Sequence, residues 1–110
     1  MTSIYLIRHA EAEGNLFRRA QGHWNGKITA RGKKQIDALA ERFKDVKIDA
    51  VYSSDLDRAV ETAGAILRGR DVPFKCTPLL REINMGVWEG ESWGNIPYRW
   101  PEQMYNFNND

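Results

Sequence analysis

Apolar side chains recur along this chain in two rhythms, and the alternation between them predicts the elements. Ser3-Ile4-Tyr5-Leu6-Ile7 is a short, nearly unbroken apolar run, which predicts a buried parallel strand ending at Arg8-His9. Residues 10–28 show no clean period and carry Gly14, Gly22 and Gly26, so they form a long connection, of the kind that is often functional. From Thr29, which suits a helix N-cap, Ile36, Leu39, Ala40 and Phe43 return every three or four positions, while Arg31, Lys33, Lys34, Asp37 and Glu41 occupy the opposite face. Ile48 to Ser53 predicts a second strand. Ser54 or Asp55 then caps a helix with Ala59, Val60, Ala63, Ile66 and Leu67 facing inward and Gly69 as its stop. Val72 to Thr77 predicts a third strand.

Strand, helix, strand, helix, strand in that order calls for parallel pairing with crossover connections, hence an α/β fold with a mainly parallel sheet. Beyond Pro78 the chain becomes rich in Trp, Gly, Pro and Asn, with helical turns expected after Ser92 and from Pro101 and an end, Asn106 to Asp110, too polar to pack. A length of 110 residues allows one domain with a real core and not two.

Composition removes several function classes. The 16 Lys and Arg against 15 Asp and Glu leave a net charge of +1, with both signs mixed along the chain, so neither nucleic acid nor an anionic membrane is an expected partner. Any anion binding has to be local. The first residues lack a basic leader and a cleavage site, and no apolar run is long enough to span a bilayer. Cys76, the single cysteine, excludes an internal disulfide and fits a cytoplasmic location; in the strand-like Phe74-Lys75-Cys76-Thr77 run it reads as a passive structural thiol.

Candidate chemistry centres on Arg8-His9, placed at the carboxyl end of the first strand, where open parallel sheets bind their ligands. A lone histidine there is more often structural, but Asn15 follows on a glycine-containing loop and Arg58 opens the helix after the second strand. Two guanidinium forks and an amide suit the oxygens of a phosphoryl group and leave His9 as a nucleophile. His23, the other histidine, reads as a solvated or rim residue, and no acid or thiol stands at a ligand spacing from either histidine, so no metal is expected.

Four ordered segments go further. Leu6-Ile7-Arg8-His9-Ala10-Glu11 with Asn15 comes first, followed by Gln21-Gly22 and Ile28-Thr29-Ala30-Arg31-Gly32-Lys33-Lys34-Gln35. Ser53-Ser54-Asp55-Leu56-Asp57-Arg58-Ala59 with Thr62-Ala63, and Leu80-Arg81-Glu82-Ile83-Asn84-Met85-Gly86-Val87-Trp88-Glu89-Gly90, complete the set. Over about residues 4–90 the chain thereby resembles the amino-terminal half of the histidine phosphatase superfamily, the phosphoglycerate mutase-like proteins. The resemblance implies a three-layer α/β/α fold, no cofactor and a phosphohistidine formed on His9. It further implies that Arg8, Asn15 and Arg58 hold the phosphoryl oxygens, that Gln21 and Gly22 line the phosphate and substrate site, and that Glu82 is the proton donor. A carboxyl group suits that last role because an alkoxide leaves poorly without a proton. Ala10 stands where the family usually has glycine, and its extra methyl is expected to shift the loop slightly.

Members of this family carry a second histidine late in a longer chain, and no residue after His23 can supply it here. The expectation is therefore a single partial, truncated domain over 1–110, with 91–110 opening the family's variable region. Its first strand would lack a neighbour, so a homo-oligomer or a partner completing the sheet is expected. The expected function is metal-independent hydrolysis of a small phosphorylated metabolite, impaired by the lack of the second histidine. The alternatives are mutase-type phosphoryl transfer and a non-catalytic phosphate-binding or interaction module.

Overall fold

Helix α2, Ala30–Phe43, begins where the Thr29 hydroxyl accepts a hydrogen bond from the Gly32 amide at 3.0 Å, the N-cap its sequence predicts. In this computed structural model, which describes the backbone of residues 1–109 and the side chains through Asn106, α2 follows a four-residue helix α1, Glu13–Leu16. Strand β1 (Val51–Ser53), helix α3 (Asp57–Leu67) and strand β2 (Phe74–Cys76) come next, and β1 and β2 pair in parallel, with Val51 opposite Phe74. Two short 3₁₀ turns, Pro78–Leu80 and Gly86–Trp88, lead to helices α4 (Ile96–Arg99) and α5 (Pro101–Asn109). The reading of the polar end at 107–110 falls on side chains outside the described residues.

The fold is α/β, and helix α3 is the crossover between the two parallel strands. Helices α2 and α3 pack on one another, and α3 covers β1. Ala10, Ala12, Ile28, Ile36 and Ala65 form one core cluster flanked by Leu39 and Ala40. Ala20, Trp88 and Ile96 form a second, surrounded by Met85, Trp93, Trp100 and Met104. Trp88 is a packing residue there: its ring meets Trp93 edge to face at 6.3 Å and its indole N–H donates to Gln103. Arg70 donates to the carbonyls of Phe43, Val46 and Ile66, joining the carboxyl ends of both long helices.

Two expectations are corrected. Ser3–Ile7 forms no strand; Ile4 is 79% and Leu6 93% exposed, although the Tyr5 ring still packs edge-on against Phe43. The described sheet holds only β1 and β2, and the run lies along an open cleft without joining either. Neither Ser54 nor Asp55 is the N-cap of α3: that position is Leu56, while Asp55 is taken by Arg81 and the Ser54 hydroxyl accepts from the Leu56 amide. Cys76 does lie in a strand, but exposed, because β2 has no covered face. Gly69, by contrast, ends α3 at φ +69°, as a left-handed stop requires.

Candidate active site

The loop after His9 is held by residues from both long helices. The Thr62 hydroxyl of α3 accepts from the Ala10 amide at 2.9 Å and donates to the Arg58 carbonyl one turn earlier at 2.7 Å. From α2, the Gln35 amide oxygen accepts from the Glu11 amide at 2.8 Å, and Thr29 donates through its backbone amide to the Glu11 carbonyl at 3.0 Å. Gly32 makes room for this contact, since a Cβ there would stand 2.1 Å from the Glu11 carbonyl oxygen. The Ala10 methyl is buried in the core beside Ala65, so the extra carbon is absorbed by packing.

His9 Nδ1 lies 2.7 Å from the Ala10 carbonyl oxygen. A carbonyl only accepts, so Nδ1 carries the proton in this contact, which in the neutral ring puts the lone pair on Nε2. Asn15 is oriented in the same manner: its side-chain oxygen accepts from the Ala12 amide at 3.0 Å, which leaves its NH₂ group to donate elsewhere.

Arg58 is buried, at 2% exposure, and gives Nη1 to the Trp24 carbonyl at 2.7 Å and Nη2 to the Gly22 carbonyl at 2.6 Å. It also meets the Glu82 carboxylate at 3.2 Å. Glu82 is brought into range by the pair just before it, where Arg81 grips Asp55 with two hydrogen bonds of 2.6 and 2.7 Å. That guanidinium holds the Asp55 carboxyl below its ordinary value. Gln21 is buried, and its side-chain oxygen has no hydrogen-bond partner among the described residues. Gly14 is required beneath it, because a Cβ there would come within 2.0 Å of the Gln21 Cγ.

Arg8, His9, Asn15, Gln21, Gly22, Arg58 and Glu82 all line one open cleft of about 1550 Å³. Among the described residues, no hydrogen bond links His9 to Asn15, Arg58 or Glu82; they share the walls of the cleft. Arg8 is exposed and makes no ion pair among the described residues. Nor is any group of three or more His, Cys, Asp or Glu side chains arranged to hold a metal ion among the described residues.

Sequence reasoning missed the residues that hold these groups in place. Thr62, Gly32 and Gln35 were visible only as letters of the matched segments, with no role attached. His23, read as a rim residue, reaches the Glu82 carbonyl oxygen at 2.7 Å through Nε2.

A parallel α/β unit presenting a histidine and arginines in a cleft beside the strand ends is of the phosphoglycerate mutase-like type. The chain belongs to the histidine phosphatase superfamily: the model of its branch 1 matches residues 4–110. It is 42% identical over 89 residues to a Proteus mirabilis protein named probable phosphoglycerate mutase GpmB, covering 81% of this chain and 41% of that relative. The solved alpha-ribazole phosphatase from Shigella flexneri is 34% identical, with a TM-score of 0.87 over 94% of this chain and 52% of its own. A mycobacterial glucosyl-3-phosphoglycerate phosphatase, solved with VO3, is 26% identical, with a TM-score of 0.82 over 93% of this chain and 49% of its own. The chain thus spans about half the length of the relatives it matches. Among the described residues no helix is long and apolar enough to cross a membrane.

Proposed function

We propose that the chain carries the nucleophile half of a metal-independent phosphomonoesterase in which His9 takes the phosphoryl group of a small phosphorylated metabolite. The observation that carries this reading is the His9 contact: Nδ1 lies 2.7 Å from the Ala10 carbonyl oxygen, so in the neutral ring the lone pair falls on Nε2 of a cleft-lining side chain. In the first step the Nε2–P bond forms as the ester P–O bond breaks, and the leaving oxygen takes a proton from Glu82. In the second, water attacks phosphorus, the Nε2–P bond breaks and the proton lost by water returns to Glu82. Arg8, the Asn15 NH₂ group and the Arg58 N–H groups not spent on carbonyls stabilise the charge on the transferring oxygens, and Gln21 and Gly22 bound the substrate side.

Exposure of Ile4 to Ile7 supports a second part of the reading, that further polypeptide, a second copy or a partner, lies beside this run in the active species. The name of the Proteus relative favours one other reading, transfer of the phosphoryl group back to a bound alcohol as a mutase does. Release of inorganic phosphate from a panel of monoesters in the presence of a chelator tests hydrolysis against that transfer. Release that survives chelation and is lost in His9→Ala supports the reading. Release that depends on added metal, or persists in His9→Ala, contradicts it.

A further inference from the structure

The contact between His23 and Glu82 has no need to exist for the two loops to touch. Glu89 already staples them, its carboxylate accepting from the backbone amides of His23 and Met85 at 2.9 Å each. Gly22, at φ +49°, lets the loops close, since a Cβ there would sit 2.7 Å from the Ile83 carbonyl oxygen. The His23 side chain reaches past that staple to Glu82 itself, with Nε2 2.7 Å from its carbonyl oxygen. The carbonyl only accepts, so Nε2 bears the proton in this contact. Arg58 meets the same residue at its other end, at the carboxylate. The Glu82 side chain is 56% exposed, so little packing restrains it and its placement rests on these two contacts together with the Arg81–Asp55 pair beside it.

We propose that His23 is a positioning residue for Glu82: by fixing the Glu82 main chain, its Nε2–H keeps the carboxyl over the cleft, within reach of the oxygen that leaves phosphorus. The inference rests on the reading of Glu82 as the proton donor, and the chemistry of that role supplies a discriminating test. When the ester P–O bond breaks to an alkoxide, the departing oxygen needs the Glu82 proton. A dinitrophenolate departs without one, so the placement of Glu82 matters for the first ester and not for the second.

The experiment is quenched-flow intact-mass measurement of phosphoryl appearance on the 110-residue chain, from glycerol phosphate and from 2,4-dinitrophenyl phosphate, for the native sequence, His23→Ala and His23→Gln. His23→Ala slows transfer from the alkyl ester roughly tenfold or more, as a misplaced catalytic group does, and leaves transfer from the dinitrophenyl ester within about twofold. His23→Gln, whose amide NH₂ reaches the same place as Nε2, recovers most of the loss. Equal slowing with both esters would mean a merely structural role and would overturn the inference alone, as would no slowing with either. A native chain that accepts phosphoryl from neither ester removes the proposed function and this inference together.

Discussion

The Thr62 hydroxyl stands 2.9 Å from the Ala10 amide, so the residue next to His9 hangs from the same helix that carries Arg58. Thr62 is buried at 4% exposure, and a Val of the same shape would leave the Ala10 N–H without a partner. Thr62→Val is expected to lower unfolding free energy by about 1–3 kcal/mol, the cost of an unsatisfied buried donor. Denaturant titration measures it, and a variant as stable as the native chain contradicts the assignment.

Gly32 gives a prediction whose sign opposes helix propensity. Alanine in place of glycine inside an exposed helix usually stabilises by up to about 1 kcal/mol. Here the new Cβ would lie 2.1 Å from the Glu11 backbone oxygen, which no side-chain rotation can relieve. Gly32→Ala is therefore expected to destabilise by about 1–3 kcal/mol as overpacking does. Thermal unfolding monitored by circular dichroism reads the sign directly.

The Asp55–Arg81 pair sets a pH dependence. Its guanidinium depresses the Asp55 carboxyl in the folded chain, so in the window between that value and the ordinary one, about 3.9, the unfolded state binds more protons. The contribution is complete above the ordinary carboxylate range and is lost as pH falls through the depressed value. Comparing unfolding midpoints of the native chain and Asp55→Asn across acid pH tests this. The native advantage seen at neutral pH is expected to shrink toward zero in strong acid, and a constant difference would refute the linkage.

Asn15 allows local structure and anion binding to be separated. Asn15→Asp retains the oxygen that accepts from the Ala12 amide but replaces the NH₂ donor with a carboxylate oxygen. Helix α1 should survive, while affinity for orthovanadate, a phosphoryl mimic, falls roughly tenfold to a hundredfold with the loss of a donor to a charged group. Titration calorimetry of both proteins with vanadate measures the change; unchanged affinity would remove Asn15 from the anion site.

Much of this arrangement was legible in the sequence wherever the information is local. Thr29 and the spacing of Ile36, Leu39, Ala40 and Phe43 give α2 its start and its buried side, because capping and helical periodicity act within a few residues. The first strand was misread for the converse reason. An apolar run such as Ile4 to Ile7 states a demand for burial, but the neighbour that meets it is a property of the rest of the sheet.

Arg8, His9, Asn15, Gln21, Gly22, Arg58 and Glu82 could be placed in one cleft from the matched segments alone. The bonds that hold them could not, because they join partners far apart in sequence: Ala10 to Thr62, His23 to Glu82, Arg58 to Gly22. The reading of Ser54 or Asp55 as the helix cap failed in the same way, since Arg81, 26 residues along the chain, claims the Asp55 carboxylate and the cap position falls to Leu56.

The most direct test of the central claim is intact-protein mass of the chain at neutral pH, before and after brief exposure to a generic aryl phosphate, with His9→Ala alongside. The expected result is an added mass of one phosphoryl group that is acid-labile, as a phosphohistidine is, and that never appears on His9→Ala. A folded chain that gains no phosphoryl group, or gains it equally without the His9 imidazole, would contradict it.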